Sequence, residues 1–130
     1  MKKSHLTRKL SEIKGFDSPR VELEQYQTPP QLAADIAYTC YMQGYEKVID
    51  LGTGTGIIAI GAALLGLDVT AVEVDGKALE KARENAEAFG VEIDFIERDV
   101  ADYSCEEDFD AVLMNPPFNV QSDEGLTFWR

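Results

Sequence analysis

The 130-residue sequence predicts an α/β fold in which a mostly parallel sheet has helices on both faces. Three observations predict it. Strand-like and helix-like segments alternate from residue 47 onward, a glycine-rich turn follows the first strand, and polar residues stand at the strand ends. Such alternation is typical of parallel sheets with right-handed crossovers. Ligands bind outside the carboxyl ends of these strands, so a site is expected there.

A helical segment, residues 1–46, is predicted to precede the sheet. Leu6, Leu10 and Ile13 recur at four- and three-residue spacing. This spacing predicts a short amphipathic helix that ends at Gly15.

A second helix is predicted to follow two adjacent prolines. Thr28 precedes these prolines, so we expect it to be the N-cap, with proline in the first turn. Gly44 is expected to end the helix. The apolar positions that recur at helical spacing are Leu32, Ala33, Ile36, Ala37 and Cys40.

The core of the fold is predicted to span residues 47–130, within a single domain of residues 1–130. Its first strand, residues 48–51, runs directly into glycines. Residues 57–65 are apolar on nearly all sides, which predicts a deeply buried helix that ends at Gly66.

The alternation continues through the rest of the chain. A second strand is predicted over residues 69–74, a charged amphipathic helix over 77–89 and a third strand over 91–97. A weak helix or loop over 103–108 leads to a fourth strand, 110–114, which delivers Asn115 at its carboxyl end.

Composition favours a globular protein, with 45% hydrophobic and 28% charged residues. The basic N-terminus lacks the apolar stretch of a signal peptide, and no apolar run reaches membrane length. A cytoplasmic location without a membrane partner is therefore the expectation. Cys40 and Cys105 lack metal-ligand spacing, so both are expected to be reduced and structural, and no metal site is predicted.

Charge is distributed unevenly along the chain, whose net charge is −12. Residues 1–20 contain six Lys or Arg against two acidic residues, a balance of +4, so residues 21–130 carry −16. The overall charge argues against a general nucleic-acid binder, whereas the basic N-terminal segment could contact phosphates. The alternative is that this segment is simply a solvated basic helix face.

The glycine-rich turn is the first candidate binding element. Gly52, Gly54 and Gly56 leave no side chains there, so a ligand can approach the backbone closely. The dinucleotide fingerprint has Gly or Ala at its sixth position, but here Ile57 stands there. Asp50 adds a negative charge that would repel a pyrophosphate. That charge suits the ammonium and sulfonium groups of S-adenosyl-L-methionine (S-adenosylmethionine).

Acidic residues after the next two strands fit the same nucleoside ligand. Glu73 is placed to accept hydrogen bonds from both ribose hydroxyls. Asp99 could accept from an adenine amine, while the backbone of Val100 donates to the ring. Alternatively, each acid is a solvated loop end, and Asp75 is expected to cap the following helix instead.

The string Asn115-Pro-Pro-Phe118, at the end of the fourth strand, is the candidate acceptor site. The side-chain oxygen of Asn115 and the carbonyl of Pro116 could accept both hydrogens of a base amine. This would free the nitrogen lone pair for a methyl group. Pro117 helps to fix the carbonyl direction and Phe118 can stack on the base, which must first leave its helix. The alternative is an ordinary turn that ends a strand.

Taken together, these segments resemble the small archaeal and eukaryotic methyltransferase-like enzymes that form N6-methyladenosine in small-subunit rRNA. The resemblance covers the N-terminal helix, the donor and acceptor strings above, and the more specific string Leu23-Glu-Gln-Tyr-Gln-Thr-Pro29. It implies a Rossmann-like class I methyltransferase fold, S-adenosylmethionine as cofactor and structured RNA as substrate. It further implies that Gln25, Tyr26 and Thr28 contact the methionine portion of the donor or close its pocket.

The resemblance also carries expectations about partners and completeness. Eukaryotic members are stabilised by a small zinc-binding activator subunit. Members continue beyond the acceptor string into further strands and helices, so we expect the sheet of this chain to lack its C-terminal strands and leave open whether 130 residues suffice for activity. Open alternatives are methylation of DNA adenine, of guanine N2 or of protein glutamine, and a donor-binding module without catalysis.

Overall fold

The computed structural model describes residues 1–13, 28–104 and 108–114. The elements in chain order are α1 Lys3–Leu10, α2 Pro30–Met42, β1 Lys47–Leu51, α3 Ile57–Leu64, β2 Asp68–Glu73, α4 Gly76–Phe89, β3 Asp94–Glu97 and β4 Ala111–Leu113. A 3₁₀ turn over Val100–Asp102 follows β3. The four strands form one sheet in the order β3-β2-β1-β4.

All three strand pairings in this sheet are parallel, which confirms the predicted fold class. Asp50 of β1 lies opposite Ala71 of β2 and Leu113 of β4. Glu73 of β2 lies opposite Glu97 of β3. The carboxyl ends of all four strands therefore meet at one edge of the sheet, where the sequence places the candidate binding residues.

The helices of the described residues form a single layer, because each of them packs against the next. The sheet face beneath this layer carries Val48, Val69, Ala71 and Leu113, which belong to the main hydrophobic core. The buried helix predicted after β1 is confirmed, since all six residues from Ile57 to Ala62 are buried. Helices on the second face of the sheet stay a prediction.

Helix α1 is an integral part of the core, as the spacing of its apolar residues predicts. Leu6 and Leu10 are completely buried. A β-carbon built at Gly61 of α3 would lie 3.1 Å from Cδ1 of Leu10, so glycine at position 61 permits this close packing. The helix ends at Leu10, and the end predicted at Gly15 falls outside the described residues.

The predicted N-cap of α2 is wrong by one residue. Pro29, not Thr28, is the N-cap, and no side chain caps the helix. The carbonyl of Pro29 accepts the first helical hydrogen bond, from the N–H of Ala33 at 3.0 Å. Pro30 then takes the first helical position, where its missing N–H costs nothing. Gly44 ends the helix as predicted, with a φ of +78°.

Several strand boundaries also differ from the predictions, and β4, at Ala111–Leu113, is one residue shorter at each end than predicted. Val74 lies just beyond β2 and is 58% exposed. The third strand begins at Asp94 rather than Val91, because the N–H of Val91 donates to the carbonyl of Ala86 and closes α4 instead. The weak helix predicted over 103–108 is preceded by the 3₁₀ turn, and residues 105–107 lie outside the described part.

A side chain joins the beginnings of β1 and β4. Oδ2 of Asp110 accepts hydrogen bonds from the backbone N–H groups of Glu46, at 2.7 Å, and Lys47, at 3.0 Å. The N–H of Asp110 donates to the carbonyl of Lys47 at 2.7 Å. These bonds hold the pKa of the exposed Asp110 carboxyl below its usual value. Asp110 therefore fixes where β4 begins to pair with β1.

Two predictions from composition can be compared with the structure. Cys40 is buried with a free thiol, whose pKa is raised by burial, whereas Cys105 lies outside the described residues. Over residues 1–13, 28–104 and 108–114, every helix is too short or too polar to span a membrane.

Candidate functional site

Residues 52–56, called the glycine loop below, carry the chain from β1 across the end of β2. The N–H groups of Gly52 and Thr53 both donate to the carbonyl of Val72, at 2.8 and 3.0 Å. The N–H of Gly56 donates to the carbonyl of Thr53 at 2.9 Å, which closes the turn. Backbone hydrogen bonds therefore hold the glycine loop against the carboxyl end of β2.

Two glycines in the loop both have a positive φ but differ in what surrounds them. Gly56 has a φ of +88°, and a β-carbon there would lie 3.1 Å from Cβ of Ala82 in α4. A side chain at this position would therefore meet both backbone strain and a neighbouring helix. Gly52 has a φ of +74°, but none of the residues that the structure describes comes within 4 Å of its β-carbon position. The described residues therefore leave space for a ligand beside Gly52.

The carboxylate of Glu73 accepts several backbone hydrogen bonds at this edge. Oε1 accepts a hydrogen bond from the N–H of Gly54 at 2.7 Å. Oε2 accepts from the N–H groups of Val74 and Asp75, both at 3.1 Å. A carboxylate can accept about four hydrogen bonds, so one position, on Oε1, is left over. In this arrangement Glu73 can accept one ribose hydroxyl directly, and a second would replace a backbone N–H.

Asp50 lies inside the protein rather than at the surface of the loop. Its side chain is 1% exposed, and its Oδ2 accepts a hydrogen bond from the hydroxyl of Thr53 at 2.7 Å. Burial, with a smaller contribution from the negative charge of Glu73, raises the pKa of the Asp50 carboxyl to about 7. The Thr53 hydroxyl and the N–H of Ala59 act in the opposite direction. Its contacts place Asp50 beneath the glycine loop, where it orients Thr53.

Two further acids at strand ends act as local caps. Oδ1 of Asp75 accepts from the N–H of Lys77 at 3.1 Å, which confirms the predicted cap of α4. Oδ1 of Asp99 accepts from the N–H of Ala101 at 2.9 Å and caps the 3₁₀ turn that contains Val100. Contact of Asp99 and Val100 with adenine stays a prediction.

The end of β3 is held next to the end of β2. The N–H of Arg98 donates to the carbonyl of Glu73 at 2.9 Å, beyond the register pair of Glu73 and Glu97. Asp99 is the next residue after Arg98. The ribose and adenine acceptors proposed from the sequence thus follow adjacent strand ends.

One functional contact was not predicted from the sequence. Asn85 of α4 is buried, and its Nδ2 donates to the carbonyl of Thr55 in the glycine loop at 3.0 Å. The signal was present, because Asn85 is the single polar residue on the otherwise apolar buried face of α4. Its position next to the loop could be found only from the packing of α4 against Gly56.

Several predicted site residues lie outside the described part of the chain. These are Gln25, Tyr26, Asn115, Pro116, Pro117 and Phe118. Thr28 is described and buried. On the acceptor side, Leu113 of β4 lies opposite Asp50, two residues before the glycine loop. The strand that precedes the acceptor string therefore ends beside the strand that precedes the glycine loop.

Comparison with known proteins places this geometry in a family. The family model described as "Methyltransferase small domain" matches residues 36–130. The rRNA N(6)-adenosine-methyltransferase METTL5 of Danio rerio is 38% identical over 136 aligned residues, which cover 97% of this chain and 65% of that protein.

Solved structures agree with the fold. The crystal structure of PH1948 from Pyrococcus horikoshii has a TM-score of 0.84 and 37% identity, covering 98% of this chain and 66% of that one. The tRNA (uracil-54, C5)-methyltransferase of Pyrococcus abyssi, in complex with S-adenosyl-L-homocysteine, has a TM-score of 0.59 and 27% identity. That alignment covers 71% of this chain and 24% of the other.

The sequence match extends over more than half of the chain and includes β1 through β4, together with the glycine loop and Glu73. The chain spans 65% of the Danio rerio protein and 66% of the Pyrococcus horikoshii structure, just under two thirds of each. The chain belongs to the methyltransferase small domain family.

Proposed function

We propose that this chain binds S-adenosylmethionine and forms the donor-binding part of an enzyme that methylates N6 of adenosine in structured RNA, specifically small-subunit rRNA. One observation carries the proposal. The glycine loop is joined to the carboxylate of Glu73 by the 2.7 Å bond from Gly54, at the edge where β4 also ends. The name of the Danio rerio relative supports adenosine in rRNA as the substrate.

The described residues suit a nucleoside donor without a pyrophosphate. Gly52 leaves open space beside the loop, and Oε1 of Glu73 retains one acceptor position for a ribose hydroxyl. Asp99 and Val100 would take the adenine, and Gln25, Tyr26 and Thr28 the methionine portion. The Pyrococcus abyssi structure contains S-adenosyl-L-homocysteine, which supports this class of ligand. When bound, the donor supplies an electrophilic methyl group on a sulfonium centre.

The protein's contribution to the reaction is to position the acceptor amine. The Asn115 amide oxygen and the Pro116 carbonyl would each accept one amine hydrogen, which holds the nitrogen lone pair toward the donor site. Pro117 would stiffen the turn and Phe118 would stack on the adenine ring. The amine nitrogen would take the methyl group as the carbon–sulfur bond breaks, and the methylated nitrogen would then release one proton to water, so no strong base is needed. Most of the rate gain would come from alignment of the reacting atoms.

The experiment is transfer of a labelled methyl group to small-subunit rRNA, followed by digestion to nucleosides. We expect label in N6-methyladenosine, with transfer abolished in Asn115→Ala and retained in Asn119→Ala, a matched asparagine four residues later. Donor binding by calorimetry should be unchanged in both variants. Label in guanine N2, or transfer to DNA adenine or to protein glutamine in parallel reactions with DNA and with protein, would assign the activity to one of the alternatives.

A second candidate function is a donor-binding module without catalysis. The residues that carry it are the glycine loop, Glu73 and Asn85, all of which belong to the donor side of the site. The same experiment separates it from the enzyme. Saturable donor binding with no transfer to RNA, DNA or protein would favour the module.

A small zinc-binding activator subunit also belongs to the proposal, on the basis of the resemblance to the eukaryotic enzymes. The cytoplasmic location inferred from the sequence also remains a prediction. Copurification of the protein from its own cells tests whether an activator is present. Metal analysis of any bound partner tests whether that partner contains zinc.

A further inference from the structure

Helix α1 presents its charged residues in a fixed position. Leu6 and Leu10 anchor it in the core, and Leu10 packs over Gly61 of α3. Gly61 is four residues after Ile57, the first residue of α3, so the contact lies about 6 Å along that helix from the glycine loop. The buried face of α1 is thus anchored about one helical turn of α3 from the glycine loop, which fixes the direction of its exposed face.

Four basic residues in or next to α1 lie along one exposed side of the helix. At 3.6 residues per turn, Arg8 points away from the side of the helix that carries Leu6 and Leu10. His5 and Lys9 lie between that outward direction and the core, and Lys2 precedes the first turn. The residues of this stripe, called the α1 stripe below, are all exposed: Lys2, His5, Arg8 and Lys9.

Lys3 lies on the other flank of the helix and is engaged elsewhere. Its Nζ forms a 3.0 Å ion pair with Oδ1 of Asp35 in α2. Lys3 therefore has the same charge and the same helix as the α1 stripe, but a different direction and a partner within the protein. It provides a matched control for the residues of the stripe.

The α1 stripe is basic, whereas the rest of the described protein is mostly acidic. Residues 1–13 contain four Lys or Arg against one acidic residue, Glu12. The other described residues, 28–104 and 108–114, contain five Lys or Arg against sixteen Asp or Glu. A polyanion would be repelled by most of this surface and attracted to the stripe.

We propose that the α1 stripe binds the phosphate backbone of the RNA substrate. This inference rests on the proposed function, since it names the surface that brings RNA to the acceptor site. Helices that bind membrane surfaces expose a large apolar face to the lipid, whereas Leu6 and Leu10 are buried in the core. The exposed side of α1 offers charge without an apolar face, which suits phosphates of RNA.

The test compares the salt dependence of RNA binding between single variants of one helix. Arg8→Gln and Lys9→Gln each remove a cation of the stripe, and Lys3→Gln removes the control cation. Affinity for a small-subunit rRNA fragment is measured over a range of salt concentrations. The slope of log affinity against log salt concentration is negative, and we expect it to become shallower by about 0.7 to 0.9 for each stripe variant. The Lys3→Gln slope should match the wild type.

Two additional measurements make the outcome decisive. Thermal unfolding shows that the variants remain folded, and calorimetry should show unchanged donor affinity. Equal slopes for the wild type and the stripe variants would overturn the α1 proposal. The proposed function would stay intact in that case if the wild type methylates rRNA. Absence of any RNA binding by the wild type would overturn both. Binding to anionic lipid vesicles in place of RNA would also overturn the α1 proposal.

Discussion

The carboxylate of Glu73 and the backbone N–H of Gly54 are 2.7 Å apart and form a hydrogen bond between β2 and the glycine loop. Both groups belong to the proposed donor site. The bond ties the loop to β2 through the protein's own groups, which lowers the entropic cost of ordering the loop when the donor binds. The same bond restricts how Glu73 can contact a ribose, because three of its acceptor positions are taken by backbone N–H groups.

Replacing Glu73 should weaken donor binding. Glu73→Ala removes three backbone hydrogen bonds and the proposed ribose acceptor. A hydrogen bond to a charged group contributes about 1.5–3 kcal/mol, so the dissociation constant should rise roughly 10- to 100-fold. Calorimetric titration with S-adenosylmethionine measures it. The control is Glu92→Ala, which removes an exposed acid that precedes the amino end of β3. Equal affinity for the two variants would contradict the role of Glu73.

Alanine should be tolerated less well at Gly56 than at Gly44. Both glycines have a positive φ, so alanine costs about 1–2 kcal/mol of backbone strain at either position. Only at Gly56 does the new β-carbon also meet Ala82, at 3.1 Å, which adds about 1–3 kcal/mol. Denaturant unfolding measures the difference. In the background of Ala82→Gly, Gly56→Ala should cost only the backbone strain, because the close contact is then absent. Equal losses at Gly56 and Gly44 in the wild-type background would exclude the close contact.

Asn85 is expected to be a positioning residue for the glycine loop. Asn85→Ala leaves the carbonyl of Thr55 without this donor and should lower the free energy of unfolding by about 1–3 kcal/mol. The KM for the donor should rise more than kcat falls, because the change acts on the loop. Gln43→Ala, an exposed amide at the end of α2, is the control. A loss of stability with unchanged donor affinity would limit Asn85 to a structural role.

The buried Asp50 should make stability depend on pH. Its pKa is about 7 in the folded protein and about 4 when unfolded, so the folded state binds more protons between these values. Its stabilising contribution is full below about pH 4 and is lost as the pH rises through about 7. The free energy of unfolding should therefore fall relative to Asp50→Asn, by at most about 1.4 kcal/mol per pH unit.

Unfolding of both proteins in denaturant from pH 4 to pH 8 measures this effect. Asp110, whose pKa is shifted in the opposite direction, is present in both proteins and cancels in the comparison. Parallel stability curves over this range would show that Asp50 does not titrate as its surroundings indicate.

Local patterns predicted much of the fold. The order of strands and helices follows from apolar periodicity, and glycines mark the ends of α2 and α3 because a left-handed residue commonly ends a helix. The start of β3 was less predictable, since the N–H of Val91 is used by the end of α4. Such competition for a hydrogen bond depends on geometry that residue types do not encode.

The candidate site was predictable by position but less so by orientation. Asp50 was correctly placed at the end of β1, yet it was expected to face the donor and lies buried against Thr53. The apolar run that precedes Asp50 indicates this, since Val48 and Ile49 are buried on opposite faces of β1 and Asp50 shares the face of Val48. Asn85 was missed because its contact with the loop joins residues 30 positions apart, which only tertiary packing brings together.

The hydrogen bonds of Asp110 have a consequence for the order of assembly. They close a stretch of 63 or 64 residues between β1 and β4, whereas β2 begins 17 residues after β1 ends. Closing a longer stretch costs more entropy, and distant contacts form more slowly. We therefore expect β1 and β2, which carry the proposed donor site, to pair first, and β4 to be added last.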